Sequence, residues 1–343
     1  MTRVGVGIIG LGVGERHIAG FRRHPAAEVV ALCDIDPAKQ AMARARYPGV
    51  RVHAEAEALI DDPDVAIVSV ASYDDAHFAQ VARALERGKH VFVEKPICLH
   101  DDEFRELRRL HAARPGLRIS SNLILRRAPR FVDLRERIRG GRFGQVYYVE
   151  GDYDYGRLHK IAEGWRGTIP FYSVVHGGAI HLVDLLTWLT GSRIVEVEAV
   201  GNRICAEGTK FRYNDLVVAL LRFESGAVGK VSANFGCVRP HFHRLSVYGT
   251  DATFENRPDH ALLWTSRDPA VAPERLDTAY PGADKGDLIP GFVDAVLGRG
   301  AAEVEAEDVF ASMAVCLAIE RAVREHRAVP VETIPAAAHV PAP

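Results

Sequence analysis

The first residues with a chemically useful pattern form a glycine-rich turn near the start of the chain. The turn follows a short apolar run and consists of Gly10, Leu11, Gly12, Val13 and Gly14. Between a strand and a helix, such a turn lets the backbone approach a pyrophosphate, which the N–H groups of the first helical turn then bind. The usual pattern has a third glycine or alanine where this chain has Glu15. We therefore predict a dinucleotide site with an altered spacing.

Asp34 supplies the second half of this pattern. It ends another apolar run, 24 residues after Gly10, close to the distance at which an acid binds the ribose hydroxyls of a dinucleotide. A carboxylate there repels a 2′-phosphate, so it favours NAD over NADP. The alternative is that Asp34 caps the helix that follows. Asp36 before Pro37 is the better cap, and we therefore assign Asp34 to the ribose.

Lys95 is a candidate for proton transfer. It stands between Glu94 and Pro96 after a further apolar run, and the carboxyl ends of parallel strands border the crevice where such sheets bind ligands. Desolvation and nearby cations lower the pKa of a lysine, which can then exchange a proton near neutral pH. The alternative is an ordinary lysine whose stem lies along a strand end.

The elements that must position these residues alternate along the first third of the chain. Four β-branched runs predict the strands Val4–Ile9, Glu28–Cys33, Val65–Ala71 and His90–Glu94. Apolar positions with helical periodicity predict the helices Glu15–His24, Pro37–Tyr47, Asp75–Arg87 and Asp101–Ala113. Strand–helix–strand alternation indicates βαβ units and a parallel sheet. We predict a Rossmann domain over residues 1–125.

The pattern changes after Pro129. Runs that alternate polar and apolar residues predict the strands Leu216–Phe223, Ala227–Phe235 and Leu245–Tyr248, which is typical of a mostly antiparallel sheet with one face in water. We expect an α+β domain over residues 126–331 for substrate binding and oligomerisation, and a loose tail over 332–343. A flat apolar sheet face rarely stays exposed, so we predict a homodimer or homotetramer that buries it.

Composition narrows the function classes. With 343 residues the chain exceeds what one core usually serves, and with 48% hydrophobic residues, 26% charged residues and a net charge of −2 it resembles ordinary globular proteins. We expect no nucleic-acid or membrane partner, because both favour a basic face. The chain enters its first strand without a targeting segment, and we expect a cytoplasmic protein. The scattered cysteines suit a reducing compartment, and they are Cys33, Cys98, Cys205, Cys237 and Cys316.

Several further motifs occur in order along the chain. The run GKHVFVEKP covers residues 88–96, and ASYDDAH covers 71–77. RRAP follows at 126–129, GRFG at 141–144, GWR at 164–166 and HLVD at 181–184. In these motifs the chain resembles the glucose–fructose oxidoreductase, inositol dehydrogenase and MocA-like family, over roughly residues 4–330.

This resemblance implies roles for individual residues. The family's EKP lysine is the acid/base on the reacting hydroxyl, which gives that role to Lys95, and the proline after it often follows a cis bond. His181 is expected to position the substrate or to assist the proton transfer. Further contacts with NAD are expected from Ser72, His77 and Glu94. The substrate pocket is expected to include Arg126, Trp165, Arg166, His176 and Asp184. The family is metal-free, so no metal site is expected.

One position departs from the family pattern. Relatives often carry D-x-x-x-H-x-x-D, with an aspartate one helical turn before the histidine. Here Gly177 stands at that place, while His181 and Asp184 remain three residues apart on one helix face. His176 is the nearby side chain that could replace the aspartate, and it is offset by one residue.

Together these features predict hydride transfer between NAD and a hydroxyl-bearing carbon of a sugar or cyclitol. The identity of the sugar, the carbon and the direction of the reaction stay open, with free sugars, inositols, amino sugars and nucleotide sugars all candidates. A second hypothesis is an NAD-dependent glycoside hydrolase or lyase that oxidises its substrate transiently. A third is a ligand sensor that keeps the cofactor site without the chemistry.

Overall fold

The structure is a computed structural model that describes residues 3–332. The chain forms two compact units. The first runs up to Ile124 and includes Asp284–Phe310, and the second comprises Leu125–Ala283 and, within the described residues, the chain from Ala311 to Glu332. The sequence predicts the division one residue later, with residues 284–310 in the second domain. Most of the predicted tail lies outside the described residues.

The elements are numbered in chain order. The strands are β1 (Val4–Ile9), β2 (Ala27–Cys33), β3 (Arg51–His53), β4 (Ile67–Val70), β5 (His90–Val93), β6 (Ile119–Ser121), β7 (Val146–Asp154), β8 (Ile194–Asn202), β9 (Leu216–Phe223), β10 (Val228–Asn234), β11 (Phe242–Gly249), β12 (Thr253–Asn256), β13 (Ala261–Trp264), β14 (Glu274–Leu276) and β15 (Val329–Pro330). The α-helices are α1 (Gly14–Arg22), α2 (Pro37–Arg46), α3 (Ala56–Ile60), α4 (His77–Glu86), α5 (Asp101–Ala112), α6 (Pro129–Arg139), α7 (His159–Ala162), α8 (Ile180–Thr190), α9 (Ile289–Val296) and α10 (Ala306–Glu325).

The first unit is a Rossmann domain, which confirms the prediction. Its six strands are all parallel and lie in the order β3-β2-β1-β4-β5-β6. The order reverses between β1 and β4, and such a reversal opens a crevice at the carboxyl ends of the strands. Helix α2 begins as expected, because Pro37 occupies its first position and Asp36 accepts the Ala38 N–H at 2.9 Å.

Helix α9 belongs to the first unit because it completes that unit's core. The Phe292 ring lies 5.6 Å from the Phe92 ring on β5, and both side chains are fully buried. On α1, a side chain at Gly20 would clash with Ile289 and with the backbone of Gly286. The sequence predicts α9 as a helix, but its amphipathic pattern does not say which sheet it packs against.

The second unit is built on a nine-stranded sheet in the order β14-β13-β12-β11-β7-β10-β9-β8-β15. Neighbouring strands are antiparallel except β7 and β10, which confirms a mostly antiparallel sheet. Helix α8 packs on this sheet where Gly151 of β7 leaves room for Leu182. The sequence missed β7, because Gly151 and several polar residues interrupt its apolar alternation.

Candidate active site

The glycine-rich turn adopts a backbone that only glycine tolerates well. Gly10 has a φ of +88°, and a side chain there would clash with the backbone of Ala71 and lie 2.7 Å from the Ser72 nitrogen. A Cβ on Gly14, the first residue of α1, would lie 3.0 Å from a methyl group of Ile8 on β1. Gly14 therefore provides the close helix–strand packing expected of the third glycine.

Asp34 ties the end of β2 to this turn. The side chain is buried, with 5% of its surface exposed, and it accepts the Leu11 N–H at 2.7 Å and the Asp36 N–H at 2.9 Å. The Lys39 ammonium lies 3.3 Å from the same carboxylate. The hydrogen bonds of Asp34 thus reach the glycine-rich turn as well as the loop before α2, and the cap of that helix is Asp36.

The turn has the shape of a cradle for the phosphates of a dinucleotide. Gly12 is exposed, and a Cβ built on it would have the Lys39 ammonium nitrogen as its nearest neighbour, at 3.9 Å. The carboxyl ends of β1 and β2 present Gly12, Val13 and Asp34 at the edge where the strand order reverses. These residues fit NAD and would hold its phosphates at the start of α1 and a ribose at Asp34.

His77 holds two loops of this edge together. It begins α4, and its ring nitrogens lie 2.6 Å from the Pro96 carbonyl and 3.2 Å from the Ser72 carbonyl. The imidazole bridges the two carbonyls, with the shorter distance to Pro96. The Ser72 hydroxyl donates to Gln80 at 2.8 Å. Both ring nitrogens of His77 thus face backbone carbonyls. We therefore expect His77 to influence NAD binding by fixing the loops that contain Ser72 and Pro96.

Glu94 lies in a buried polar cluster at the end of β5. It accepts from the Asn122 amide at 2.8 Å, and the His17 ring nitrogen lies 3.3 Å away. The Lys285 ammonium is 3.5 Å from the same oxygen. Burial acts to raise the pKa of Glu94, but Lys285, His17 and then Lys95 outweigh it and hold that pKa well below its ordinary value. Sequence analysis missed Asn122 and Lys285, which lie far from Glu94 along the chain.

Lys95 follows Glu94 and is half-buried. Strand β5 ends at Val93, so Lys95 stands at the carboxyl edge of the parallel sheet, two strands from the glycine turn. The peptide bond from Lys95 to Pro96 is cis, which confirms the expectation from the resemblance.

In the second unit, Arg126 and Asp184 bind each other. Both side chains are buried, at 5% and 1% exposure, and the guanidinium makes two bonds to the carboxylate, at 2.9 and 2.6 Å. Ser312 on α10 lies 3.4 Å from the same carboxylate. We expected both residues to bind the substrate. The ion pair joins the turn after β6 to α8, because a buried charge requires a partner, and a contact of either residue with the substrate stays a prediction.

A π-turn precedes α8. The N–H of Ile180 donates to the carbonyl of Val175, five residues earlier, and the turn spans Val175–Ala179. Side chains four residues apart share a face of an α-helix, whereas a π-turn widens that spacing to five. His176, five residues before His181, therefore lies closer to the face that carries His181 than it would in a regular α-helix.

Aromatic side chains surround this turn. The Tyr153 ring on β7 stacks with His181 at 6.1 Å between centroids. Trp165 and Arg166 lie in a short 3-10 turn, where the guanidinium carbon is 4.6 Å from the Trp165 ring centre and 5.8 Å from the Tyr172 ring centre. The contact between Tyr153 and His181 could not be predicted, because β7 was missed.

A buried histidine lies on the same sheet. His243 pairs with Tyr153 across β11 and β7, and its Nδ1 accepts the Tyr280 hydroxyl at 2.5 Å. Burial, assisted by nearby His241, lowers the pKa of His243 to about 3. The ring is therefore neutral at physiological pH.

Residues 3–332 contain no cluster of three or more metal-ligating side chains. Within the same range, no helix is long and apolar enough to cross a membrane.

Comparison with known proteins defines the class. Residues 4–121 match the model of the oxidoreductase family with an NAD-binding Rossmann fold, and residues 131–255 match the GFO/IDH/MocA C-terminal domain. The chain therefore belongs to the GFO/IDH/MocA oxidoreductase family and is an NAD-dependent oxidoreductase, as its motifs predict.

Individual relatives agree with this assignment. The chain is 27% identical to inositol 2-dehydrogenase 3 of Saccharopolyspora erythraea over 96% of its own length and 95% of the relative's. It is 28% identical to the scyllo-inositol 2-dehydrogenase (NAD(+)) of Bacillus subtilis, over 72% and 71%. A levoglucosan dehydrogenase solved with NADH and levoglucosan shares the fold, with a TM-score of 0.84, 20% identity and coverage of 97% and 100%.

Proposed function

We propose that the protein transfers hydride between NAD and a secondary alcohol or ketone of a cyclitol or sugar. The position of Lys95 carries this proposal. Lys95, Asp34 and the glycine turn end strands of one parallel sheet at its carboxyl edge. Membership of the family and the inositol dehydrogenases among the relatives support the substrate class.

Lys95 is the proposed acid/base. NAD, when bound, supplies the hydride acceptor or donor. In the oxidative direction the Lys95 amine accepts the proton of the substrate hydroxyl as the C–H bond breaks, and water then accepts that proton from the ammonium. In the reductive direction the ammonium donates it. His181 is proposed to assist this transfer, and Trp165 and Arg166 to contact the substrate.

The test is turnover on defined substrates. Protein with NAD is offered myo-inositol, scyllo-inositol, glucose and a nucleotide sugar, and NADH absorbance is followed. The expected result is NADH formation with at least one cyclitol or sugar. NAD binding without NADH formation would overturn the proposal. Product release from a glycoside without net NADH would then support the hydrolase or lyase hypothesis, and ligand binding without turnover would support the sensor hypothesis.

We also propose that the protein is a homodimer or homotetramer. Strand β9 alternates buried and exposed residues, and apolar side chains on the open face of the sheet are half or more exposed, namely Val200, Leu220 and Val228. Strand register places them on adjacent strands. Light scattering at micromolar concentration tests this, and Leu220→Arg is expected to dissociate the assembly. A monomeric wild-type mass would contradict it.

A cytoplasmic location completes the proposal. All five cysteines lie within residues 3–332, where none forms a disulfide and three are buried, which suits a reducing compartment. Fractionation of cells that express the protein should recover it in the cytoplasm, and recovery from an oxidising compartment would contradict the assignment.

A further inference from the structure

Two adjacent glycines in the π-turn make room for two tyrosines. A Cβ built on Gly177 would overlap the hydroxyl oxygen of Tyr172 and lie 2.7 Å from the ring carbon that bears it. A Cβ built on Gly178 would lie 2.5 Å from the Tyr153 ring. Neither glycine has a positive φ. These glycines therefore serve close contact with the tyrosine rings and not an unusual backbone conformation.

The Tyr172 hydroxyl occupies a specific place relative to His181. Gly177 lies four residues before His181, within the turn that leads into α8. Tyr172 is 1% exposed, and Trp165, Phe211 and Phe235 pack around its ring with centroid distances of 6.1 to 6.2 Å. A ring held on several sides has little freedom, so its hydroxyl is fixed against the Gly177 backbone.

We propose that the Tyr172 hydroxyl occupies the place where the motif of the resembled family has a carboxylate, position 177, and that Tyr172 is a positioning residue for His181. This inference rests on the proposed function, since it assigns a role in the same reaction. The side chain of an aspartate at 177 would begin where this hydroxyl now lies.

The substitution changes the chemistry of the site in one respect. A carboxylate is an anion that only accepts hydrogen bonds, whereas a phenol is neutral near pH 7 and both donates and accepts. Tyr153 lies on the other glycine and stacks with His181 at 6.1 Å. Each of the two tyrosines thus contacts one glycine of the turn, and the His181 imidazole that follows the turn stacks with Tyr153.

The first experiment removes the hydroxyl alone. Tyr172→Phe is expected to lower kcat roughly tenfold or more, because a small misplacement of a reacting group is costly, with KM, NAD affinity and the thermal midpoint close to wild type. The matched control is Tyr213→Phe. The Tyr213 hydroxyl donates to the Pro170 carbonyl, two residues before Tyr172, so its loss disturbs the same segment without touching Gly177. The control is expected to keep wild-type kcat.

The second experiment restores the family arrangement. Tyr172→Leu removes the hydroxyl and the ring atoms nearest Gly177, and Gly177→Asp then has room for its carboxylate. The double variant is expected to have a kcat several-fold above that of Tyr172→Leu alone. A residue with a purely structural role would not show this rescue.

A third measurement tests the contact itself without activity. Gly177→Ala should lower the thermal midpoint by about 5 °C or more in the wild-type background, because overpacking a core is destabilising. In the Tyr172→Leu background the same substitution should have a much smaller effect. Equal effects in both backgrounds would overturn the geometric basis of the proposal.

The outcomes separate this inference from the proposed function. If Tyr172→Phe keeps more than about a third of wild-type kcat while Lys95→Met is inactive, Tyr172 is not the positioning residue and the proposed function stands. A large loss in His176→Ala under those conditions would assign the place of the carboxylate to His176. If neither Tyr172→Phe nor Lys95→Met lowers kcat, both proposals are wrong.

Discussion

The carboxyl edge of the parallel sheet and the turn before α8 position their functional groups by different means. At the sheet edge, Gly10 adopts a left-handed conformation and Asp34 bonds to backbone N–H groups nearby. Backbone geometry does the positioning there. Before α8, Gly177 and Gly178 have ordinary backbone conformations and make room for the rings of Tyr172 and Tyr153. Side-chain packing does the positioning in that turn.

This difference determines what each region tolerates. A site set by backbone conformation depends on few residues, and each of them is hard to replace. A site set by packing depends on more residues, and a change in one can be offset by a change in its neighbour. The two regions should therefore respond differently to substitution.

Lys95→Met should lower kcat by about 10² or more, the usual contribution of a positioned proton-transfer group. NAD affinity should change little, because the substitution leaves the glycine turn and Asp34 intact. Steady-state kinetics and an NAD titration measure the two quantities. Lys210→Met, which alters an exposed lysine, serves as the control. Retention of more than about a third of wild-type turnover would refute Lys95 as the acid/base.

Gly10→Ala and Gly12→Ala should distinguish an effect on the stability of the fold from an effect on NAD binding alone. Alanine at Gly10 must adopt a φ of +88° against the Ala71 backbone, which should lower the thermal midpoint by about 5 °C or more and weaken NAD binding. Alanine at Gly12 meets only the end of the Lys39 side chain, 3.9 Å away, so stability should hold while NAD affinity falls by about tenfold through contact with the phosphates. Calorimetry and NAD titration check both. Unchanged NAD affinity in Gly12→Ala would contradict the proposed phosphate position.

Asp34→Ala should narrow the preference for NAD over NADP by about tenfold, because it removes a carboxylate that repels the 2′-phosphate. The same change releases Lys39, whose ammonium now lies 3.3 Å from Asp34, to meet that phosphate. Asp34→Ala with Lys39→Ala should therefore bind NADP less tightly than Asp34→Ala alone. Equal affinity of the wild-type protein for both cofactors would refute the role of Asp34.

His243 should make the protein sensitive to mild acid. Burial and His241 lower its pKa from 6.5 to about 3, so between these values the unfolded chain binds a proton that the folded chain does not. Stability therefore falls as the pH drops below about 6.5. His243→Asn should flatten the decline of the thermal midpoint between about pH 6.5 and 5. The exposed His159→Asn should leave the slope unchanged, and an unchanged slope in His243→Asn would contradict the prediction.

Glu94 affects the stability of the protein in a different pH range. Its pKa is depressed in the folded state, so it contributes stability above its ordinary value of about 4.5, and that contribution is lost as the pH falls further. As the pH falls, the loss of stability caused by His243 therefore begins at a higher pH than the loss caused by Glu94.

The sequence predicted the first region well because its signals are local. The turn, Asp34 and Lys95 lie at the ends of apolar runs with regular spacing, so their common edge follows from βαβ topology. The short edge strand β3 was missed, since Arg51 and His53 flank its single apolar residue. The partners of Glu94 were missed because Asn122 and Lys285 come from distant parts of the chain.

The second region was harder to predict because contacts between distant residues define it. The π-turn changes the register between His176 and His181, and spacing alone cannot show a change in helical register. Arg126 and Asp184 have the residue types of a binding site but form a buried ion pair. The sequence shows only that position 177 lacks the aspartate of the family motif. The structure shows that the Tyr172 hydroxyl occupies the space that a side chain at this position would need.

The return of Asp284–Phe310 to the first unit limits how the chain can be divided. A fragment that ends at Ile124 would lack α9 and expose Phe92, which Phe292 covers in the whole protein. Such a fragment would be prone to aggregation, because an uncovered apolar surface favours self-association. A chimera that exchanges the second unit with that of a relative therefore needs three junctions, near residues 124, 283 and 310. Gene fusion at a single point would separate α9 from the sheet it completes.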